Sequence, residues 1–281
     1  MRISLVIPAH NEAPYLKACL DSIVAQTRLP DEVIVVDDSS TDDTFDIASK
    51  YAEKQAFIKV FKHESHPGHL PGTKVVSAFN FGLSKTQDHE LIGKFDADIV
   101  LPPKYFESME AAFQSDWKLG ICGGLLFVAT GADWMYERIA DANHVRGPIK
   151  LYHKACFEKI GGLRMGTGWD TVDVLLARYH DFHVKTIKSL AVKHLRPTGH
   201  GYSKQNHTAK GIALYQMRYG LILAKLALLK MAWQSKNPKL YVYGIVGYLG
   251  ALVSRKARYV TPSEGRFIRS LRWKGIRDKL V

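Results

Sequence analysis

Along the first hundred residues the chain alternates two apolar rhythms. Short strand-like runs, Ile3 to Ile7, Glu32 to Val36, Phe57 to Phe61 and Leu91 to Phe95, alternate with helix-period stretches over about 13–26 and 73–85. Buried runs of this length separated by amphipathic helices predict βαβ units and an α/β domain built on a mainly parallel sheet flanked by helices. Three of the runs stop at polar clusters: Pro8-Ala9-His10-Asn11-Glu12 after the first, Asp37-Asp38-Ser39-Ser40 after the second, Asp96-Ala97-Asp98 after the fourth. In an open parallel sheet the ligand crevice lies outside the carboxyl ends of the strands, so Glu12, Asp37, Asp38, Asp96 and Asp98 are expected to line one pocket. Ser40 or Thr41, with Asp42 and Asp43, is expected instead to cap the helix that follows.

Later in the chain the rhythm changes. Val184 to Ile187 predicts a short strand, and two long apolar stretches follow, Ile212 to Trp233 and Leu240 to Val253. The second is shorter than the roughly 20 residues that span a bilayer. The first is interrupted by Arg218, Lys225 and Lys230. Interfacial or re-entrant helices with basic flanks fit better than two spans, the alternative being a helical hairpin packed on the rest of the chain. Basic residues at 266, 269, 272, 274, 277 and 279 then predict a surface-binding amphipathic helix.

Composition sharpens this division. With 281 residues and 46% apolar content, the chain is long enough for one large α/β core with an appendage. Residues 1–199 carry 23 Lys/Arg against 25 Asp/Glu, whereas residues 200–281 carry 16 against 2, so the whole formal charge of +12 arises in the last third. Basic residues interleaved with apolar helices point to an anionic membrane surface. No nucleic-acid-binding motif, P-loop or dinucleotide fingerprint accompanies them. Cys19, Cys122 and Cys156 are far apart and odd in number, which argues against a disulfide framework and for a reducing, cytoplasmic compartment. The start of the chain reads as a buried strand rather than a signal peptide.

The chemistry centres on Asp96-Ala97-Asp98. Two carboxylates around one small residue at a strand end offer hard oxygen ligands to Mn²⁺ or Mg²⁺, whose remaining positions substrate phosphates commonly fill.

Four motifs in order, Ile7-Pro8-Ala9-His10-Asn11-Glu12, Val35-Val36-Asp37-Asp38-Ser39-Ser40-Thr41-Asp42, Lys74-x3-Ala78-x-Asn80-x-Gly82 and Phe95-Asp96-Ala97-Asp98, resemble the family 2 glycosyltransferases and their GT-A nucleotide-sugar fold over roughly residues 1–199. The resemblance implies a catalytic domain over 1–205, with a nucleotide-binding half (1–100) and an acceptor half (101–205), followed by the basic extension 206–281. It places Pro8, Ala9 and Glu12 beside the ribose and base of a nucleoside-diphosphate sugar, Asp37 or Asp38 on the base, Lys74 near the donor, and Asp96, Ala97 and Asp98 at the ribose and metal, Asp98 being the direct ligand. Gly161-Gly162 and the segment Gly166 to Asp173 resemble the family's Gly-Gly turn and acidic motif. Counting back from Phe182 puts Asp170 at the catalytic base and Trp169 where Glu is usual; Trp169 either stacks on the acceptor or packs in the core. Asp173, on the same helical face, either replaces Asp170 or orients it. His194 resembles a residue that approaches the metal or diphosphate, and Arg196 is placed to grip a phosphate. The series His63-x2-His66-x2-His69 reads as a lid.

The expectation is therefore an inverting, metal-dependent transfer of a sugar to a hydroxyl of a glycan or lipid-linked acceptor, in polysaccharide or glycolipid synthesis, on the inner face of a membrane. The rivals are a sugar-phosphate nucleotidyltransferase, which normally carries a glycine-rich triphosphate loop that Pro8 to Glu12 lacks, and a non-catalytic sugar-nucleotide-binding protein.

Overall fold

The computed structural model describes residues 1–64, 72–139, 141–197 and 204–278. Beyond Glu64, the expected histidine lid lies outside these residues. Strands β1 (Ile3–Ala9), β2 (Glu32–Asp38), β3 (Ile58–His63) and β4 (Leu91–Phe95) alternate with helices α1 (Ala13–Val24), α2 (Thr44–Lys54) and α3 (Thr73–Leu83). They lie side by side in the order β3-β2-β1-β4, all parallel. The crossover direction reverses between β1 and β4, the point at which a doubly wound sheet opens a crevice.

The remaining strands are β5 (Ile99–Val100), β6 (Leu119–Thr130), β7 (Asp133–Tyr136), β8 (Ile149–His153) and β9 (His183–His194), with helices α4 (Tyr105–Ser115), α5 (Lys154–Lys159) and α6 (Trp169–Tyr179) between them. Here the sheet is mixed. Strand β8 runs antiparallel to both β4 and β6, β9 runs parallel to β6, and β5 closes the edge against β9. The parallel reading thus describes the first four strands, and the second half departs from it. The short strand expected at 184–187 is part of a 12-residue strand, because register shifts near Gly120 and Gly124 let β9 follow β6 through two irregularities.

Strand alternation divides the core between the two faces of the sheet. Leu5 and Ile7 pack with Leu16, Leu20, Phe106 and Met109 on one face, while Val6, Ile34 and Val36 pack with Phe79, Val172 and Leu175 on the other.

The last third forms α7 (Lys204–Gln216), α8 (Leu221–Gln234), α9 (Pro238–Val253) and α10 (Pro262–Arg277). The apolar stretch from Ile212 is therefore two helices, not one. The break falls where Arg218 and Gly220 both take positive φ, 57° and 77°, and ends the helical hydrogen bonding. Helices α7 and α9 cross closely enough that a Cβ added to Gly211 would sit 1.8 Å from the Gly244 carbonyl oxygen. Leu223, Leu228, Leu240, Tyr248 and Ile268 belong to the same buried cluster as Val6 and Phe79, so these helices pack onto the sheet domain. Their outer faces stay apolar: Ile222, Leu229, Val242, Val246, Leu252 and Val253 are exposed. Among the described residues no helix is long and apolar enough to cross a membrane. Thr261 and Glu264 form a reciprocal capping box that fixes the start of α10.

Candidate active site

The turns after β1 and β2 are sewn together. Asn11 and Ser39 adopt positive φ, 55° and 57°, so the chain leaves each strand sharply. Asn11 donates its backbone N–H to Ser40 Oγ (2.9 Å) and accepts from the Thr41 N–H (2.8 Å); Glu12 donates to Thr44 Oγ1 (2.8 Å), and Ala13 to Asp42 (3.1 Å). Asp42 also accepts from the Thr44 backbone N–H. The expected cap by Ser40 or Thr41 is not formed: Asp43 stands at the N-cap of α2 with no side-chain cap hydrogen bond, and Ser40 and Asp42 instead hold the two strand-end turns in register. This puts Glu12 and Asp37 beside each other's strands, with Ala9 opposite Asp37. Asp37 is 3% exposed, and among the described residues neither its Oδ1 nor Glu12 Oε2 has a hydrogen-bond partner. Buried carboxylate oxygens without donors are costly, and a ligand group would satisfy them.

Asp98 meets His194 although 96 positions separate them. The edge strand β5 follows Asp98 directly and pairs Ile99 with His194, and the Leu195 N–H donates to the Asp98 carbonyl (2.8 Å). Ligand atoms of Asp96, Asp98 and His194 all lie within 4.8 Å of one another. Two hard carboxylates and an imidazole suit Mn²⁺ or Mg²⁺ chemically, Mn²⁺ accepting the nitrogen more readily. Positive groups surround this trio. Arg196 binds Glu12 (2.5 Å) and Asp98 (3.1 Å), and Lys94 binds Asp96. His194 also faces Glu137 (3.4 Å), which pairs with Arg146 (3.1 Å). Burial works against a charge on His194, but its hydrogen bonds to Asp98 and Glu137 outweigh it and raise its pKa to about 9. Burial likewise pushes Asp98 up, and His194, Arg196 and Lys94 together hold it below the usual carboxylate range. Glu12 is pushed up to about 7 by burial, against Arg196.

A pair of buried lysines joins this cluster to the second half of the site. Lys94 on β4 is the register partner of Lys150 on β8. Their ammonium groups lie 5.1 and 5.7 Å from the Trp169 ring centroid, a double cation–π arrangement on the indole. Trp169 is 8% exposed and packs in the buried cluster on that face of the sheet. Lys150 also donates to the Asp170 carbonyl (2.5 Å) and to both oxygens of Asp173 (2.8 and 2.7 Å). Tyr152 OH and the Val174 N–H complete the shell of Asp173 at 2.5 and 2.6 Å. A carboxylate has about four lone-pair sites, and here four donor contacts fill them. Asp173, 1% exposed at its side chain, has no lone pair left for an incoming hydroxyl. Of the two roles expected for it, orienting Asp170 fits the geometry and replacing it as base does not. Asp170 itself is half-buried in the first turn of α6, with its side chain outside that network.

The other expected residues fall at the same end of the sheet. Pro8 and Ala9 end β1, Asp38 ends β2 with its carbonyl facing His10 Nδ1 (2.6 Å), Ala97 is buried between the two acids, and Lys74 stands in the first turn of α3. The start of α3 is brought to the acceptor side by Gly72, which has φ 79° and whose Cβ would lie 2.3 Å from the Gly166 carbonyl oxygen. Residues missed from the sequence are Lys94, Lys150, Glu137, Arg146 and Tyr152. The only signal for the first two was a charged residue inside an apolar strand run.

Comparison with known proteins decides the class. The profile described as Glycosyl transferase family 2 matches residues 4–165. The chain belongs to this family. Among curated relatives it is 26% identical over 152 residues to the uncharacterized glycosyltransferase YibD of Escherichia coli, covering 52% of this chain and 42% of that one. It is 29% identical over 168 residues to the putative glycosyltransferase EpsH of Bacillus subtilis, covering 60% and 45%. The matches thus span less than half the length of these relatives. Among solved structures, S. aureus TarS 1–349 in complex with UDP-GlcNAc superposes with a TM-score of 0.61 at 18% identity, covering 83% of this chain and 73% of that one. The Pyrobaculum calidifontis mannosyltransferase PcManGT with GDP-Man and Mn²⁺ gives 0.59 at 16% identity, covering 100% and 81%. Both are glycosyltransferases, and at these identities the likeness shows the shared GT-A fold.

Proposed function

We propose that this family 2 glycosyltransferase catalyses a metal-assisted, inverting transfer from a nucleoside-diphosphate sugar to a hydroxyl of a glycan or lipid-linked acceptor. The observation that carries the reading is the convergence of Asp96, Asp98 and His194 within 4.8 Å at the crevice between β1 and β4. These three side chains would hold Mn²⁺ or Mg²⁺. When bound, the ion supplies Lewis-acid stabilisation of the departing diphosphate. Asp37, with its unpartnered buried oxygen, binds the nucleobase edge, and Asp38, Pro8, Ala9 and Ala97 shape the nucleoside pocket. Arg196 and Lys94, together with Lys74, add positive charge beside the leaving group. Glu12 positions Arg196 through their ion pair.

Asp170 takes the proton from the acceptor hydroxyl. The acceptor oxygen forms its bond to the anomeric carbon as the bond to the diphosphate breaks, the diphosphate leaves with the electron pair, and the proton ends on the Asp170 carboxylate. Lys150 fixes the Asp170 main chain, and Asp173 fixes Lys150. Trp169 stiffens the same corner by packing against two ammonium groups. Turnover of a panel of UDP- and GDP-sugars, by transfer or by hydrolysis, tests this directly. One donor is expected to turn over with Mn²⁺ or Mg²⁺ and stop in EDTA; full activity in EDTA, or inertness towards every donor, opposes it.

We further propose that the enzyme rests on an anionic membrane surface, on its cytoplasmic side; the exposed apolar outer faces of α8 and α9 and the basic charge of the last third support this reading. Val253 is 84% and Ile222 67% exposed, with Lys225, Lys230 and Lys239 on the same two helices and Arg255 just beyond the end of α9 available to meet headgroups. The full chain is expected to float with vesicles containing phosphatidylglycerol, and Ile222→Glu with Val253→Glu to remain at the bottom of the gradient. Unchanged flotation of that variant would remove the membrane assignment.

A further inference from the structure

A cavity of about 310 Å³ lies against the helix that carries the proposed base, and the donor site does not use it. Its wall is one face of α6, Thr171, Val174, Leu175 and Arg178, faced by His144 and by Arg272 of α10. The volume falls at the lower end of small-molecule sites, about 300–1,000 Å³. Its lining reaches the reacting corner. Thr171 adjoins Asp170 in sequence, Gly147 packs so that an added Cβ would lie 3.2 Å from the Asp170 Cβ, and the Asp170 charge acts on His144.

The charge of this cavity is unbalanced. The Arg178 side chain forms no ion pair or hydrogen bond among the described residues, and the Arg272 guanidinium donates its Nε to Tyr219 OH at 2.8 Å and lies 5.7 Å from that ring's centroid, with no ion pair among the described residues. Neighbouring positive groups are otherwise committed: Lys150 to Asp173 and Arg146 to Glu137. The acid on the rim, Asp141, accepts from the Asn143 N–H at 2.8 Å in its own turn and makes no salt bridge to either arginine. Two guanidinium groups thus share a recess with one engaged carboxylate. Burial and the Arg272 charge hold Arg178 below its usual pKa, against the Asp141 charge. Burial together with Lys150, Arg146 and Arg272 pushes His144 down to about 4, leaving it a neutral donor or acceptor. Paired guanidinium forks are suited to a phosphate oxygen set, and a phosphate carries the two negative charges that a carboxylate does not.

We propose that this cavity is an acceptor subsite in which Arg178 and Arg272 bind a phosphate group carried by the acceptor, while its hydroxyl faces Asp170. Eight residues of helix separate Asp170 from Arg178, which at 1.5 Å per residue is about 12 Å along the axis. The phosphate therefore belongs beyond the sugar or polyol that bears the reacting hydroxyl. A lipid-linked sugar phosphate and a polyol phosphate polymer share this chemistry. The basic tail then has a second task, because α10 supplies half of the anion site.

This inference rests on the transferase reading, and calorimetry on the full-length chain separates the two. Farnesyl phosphate, glycerol 3-phosphate and glucuronate are titrated with and without nucleoside diphosphate and Mn²⁺. A phosphate probe is expected to bind with one site per chain and glucuronate at least tenfold more weakly, the tighter phosphate identifying the lipid or the polyol source. Arg178→Gln and Arg272→Gln are each expected to weaken the phosphate at least tenfold and to keep nucleotide affinity, which also reports that they fold. Phosphate binding untouched by both substitutions, absent from the wild type, or matched by glucuronate would overturn the subsite. Loss of the donor reading has a different signature: no nucleotide binds the wild type at all.

Discussion

Asp170→Asn is expected to lower kcat for sugar transfer by about 10²–10⁴-fold, the range ascribed to a positioned general base, and to leave nucleotide affinity within a factor of about two. The amide keeps the size of the side chain and its place in the first turn of α6, and the Lys150 contact is to the Asp170 backbone carbonyl, so the surrounding network stays intact. What is lost is the capacity to accept a proton. Steady-state kinetics with saturating donor, alongside calorimetric binding of the nucleoside diphosphate, separates the two quantities. A variant that transfers at the wild-type rate would move the base to another residue; one that also loses nucleotide binding would mean that Asp170 belongs to the donor site.

Asp173→Asn should behave differently. Lys150 is fully buried and Asp173 1% exposed at their side chains. Removing one partner of such a pair leaves a buried ammonium without a counter-charge, at a cost of about 3–5 kcal/mol. For a chain of this size each kcal/mol shifts Tm by roughly 2–4 °C, so a fall of about 10 °C is expected in calorimetry. Lys150→Met should fall comparably, and the double variant should recover part of the loss, because two neutral groups no longer strand a charge. Residual activity of Asp173→Asn, measured well below its lowered Tm, should exceed that of Asp170→Asn. An Asp173→Asn protein with wild-type Tm and no activity would instead make Asp173 the base, and the four-donor shell around it would need another explanation.

The two substitutions also show which parts of the molecule were legible in the residue pattern. Strands β1, β2 and β4 are buried along nearly their whole length, so their continuous apolar runs announced them, and the acids at their ends announced the crevice. Strand β9 was underestimated because its exposed and buried residues alternate irregularly and its length depends on pairing with β6, a long-range fact invisible locally. Lys94 and Lys150 stand inside apolar runs, where a lysine reads as a solvated residue; only the β4–β8 register brings the two together around Trp169. The break between α7 and α8 was carried by Arg218 at positive φ, a conformation that few side chains adopt and that no composition rule places there. His194 and Asp170 were reached by family resemblance, and Asp173, readable as a second acid on the helix, needed its donors counted before its role could be separated from that of Asp170. The tail's apolar character was plain, but its division into an inner face on the core and an outer face left bare required the packing of α7 against α9 through Gly211 and Gly244.

The convergence of Asp96, Asp98 and His194 on one cation, with the nucleotide held beside it, is tested most directly by titrating nucleoside diphosphates into the wild type and Asp98→Ala, each with and without Mn²⁺. The wild type is expected to bind one nucleotide at least tenfold more tightly with Mn²⁺, and Asp98→Ala to lose that enhancement while still binding the nucleotide without the metal, which reports that it folds. Equal affinity of the two proteins in Mn²⁺ would contradict the site.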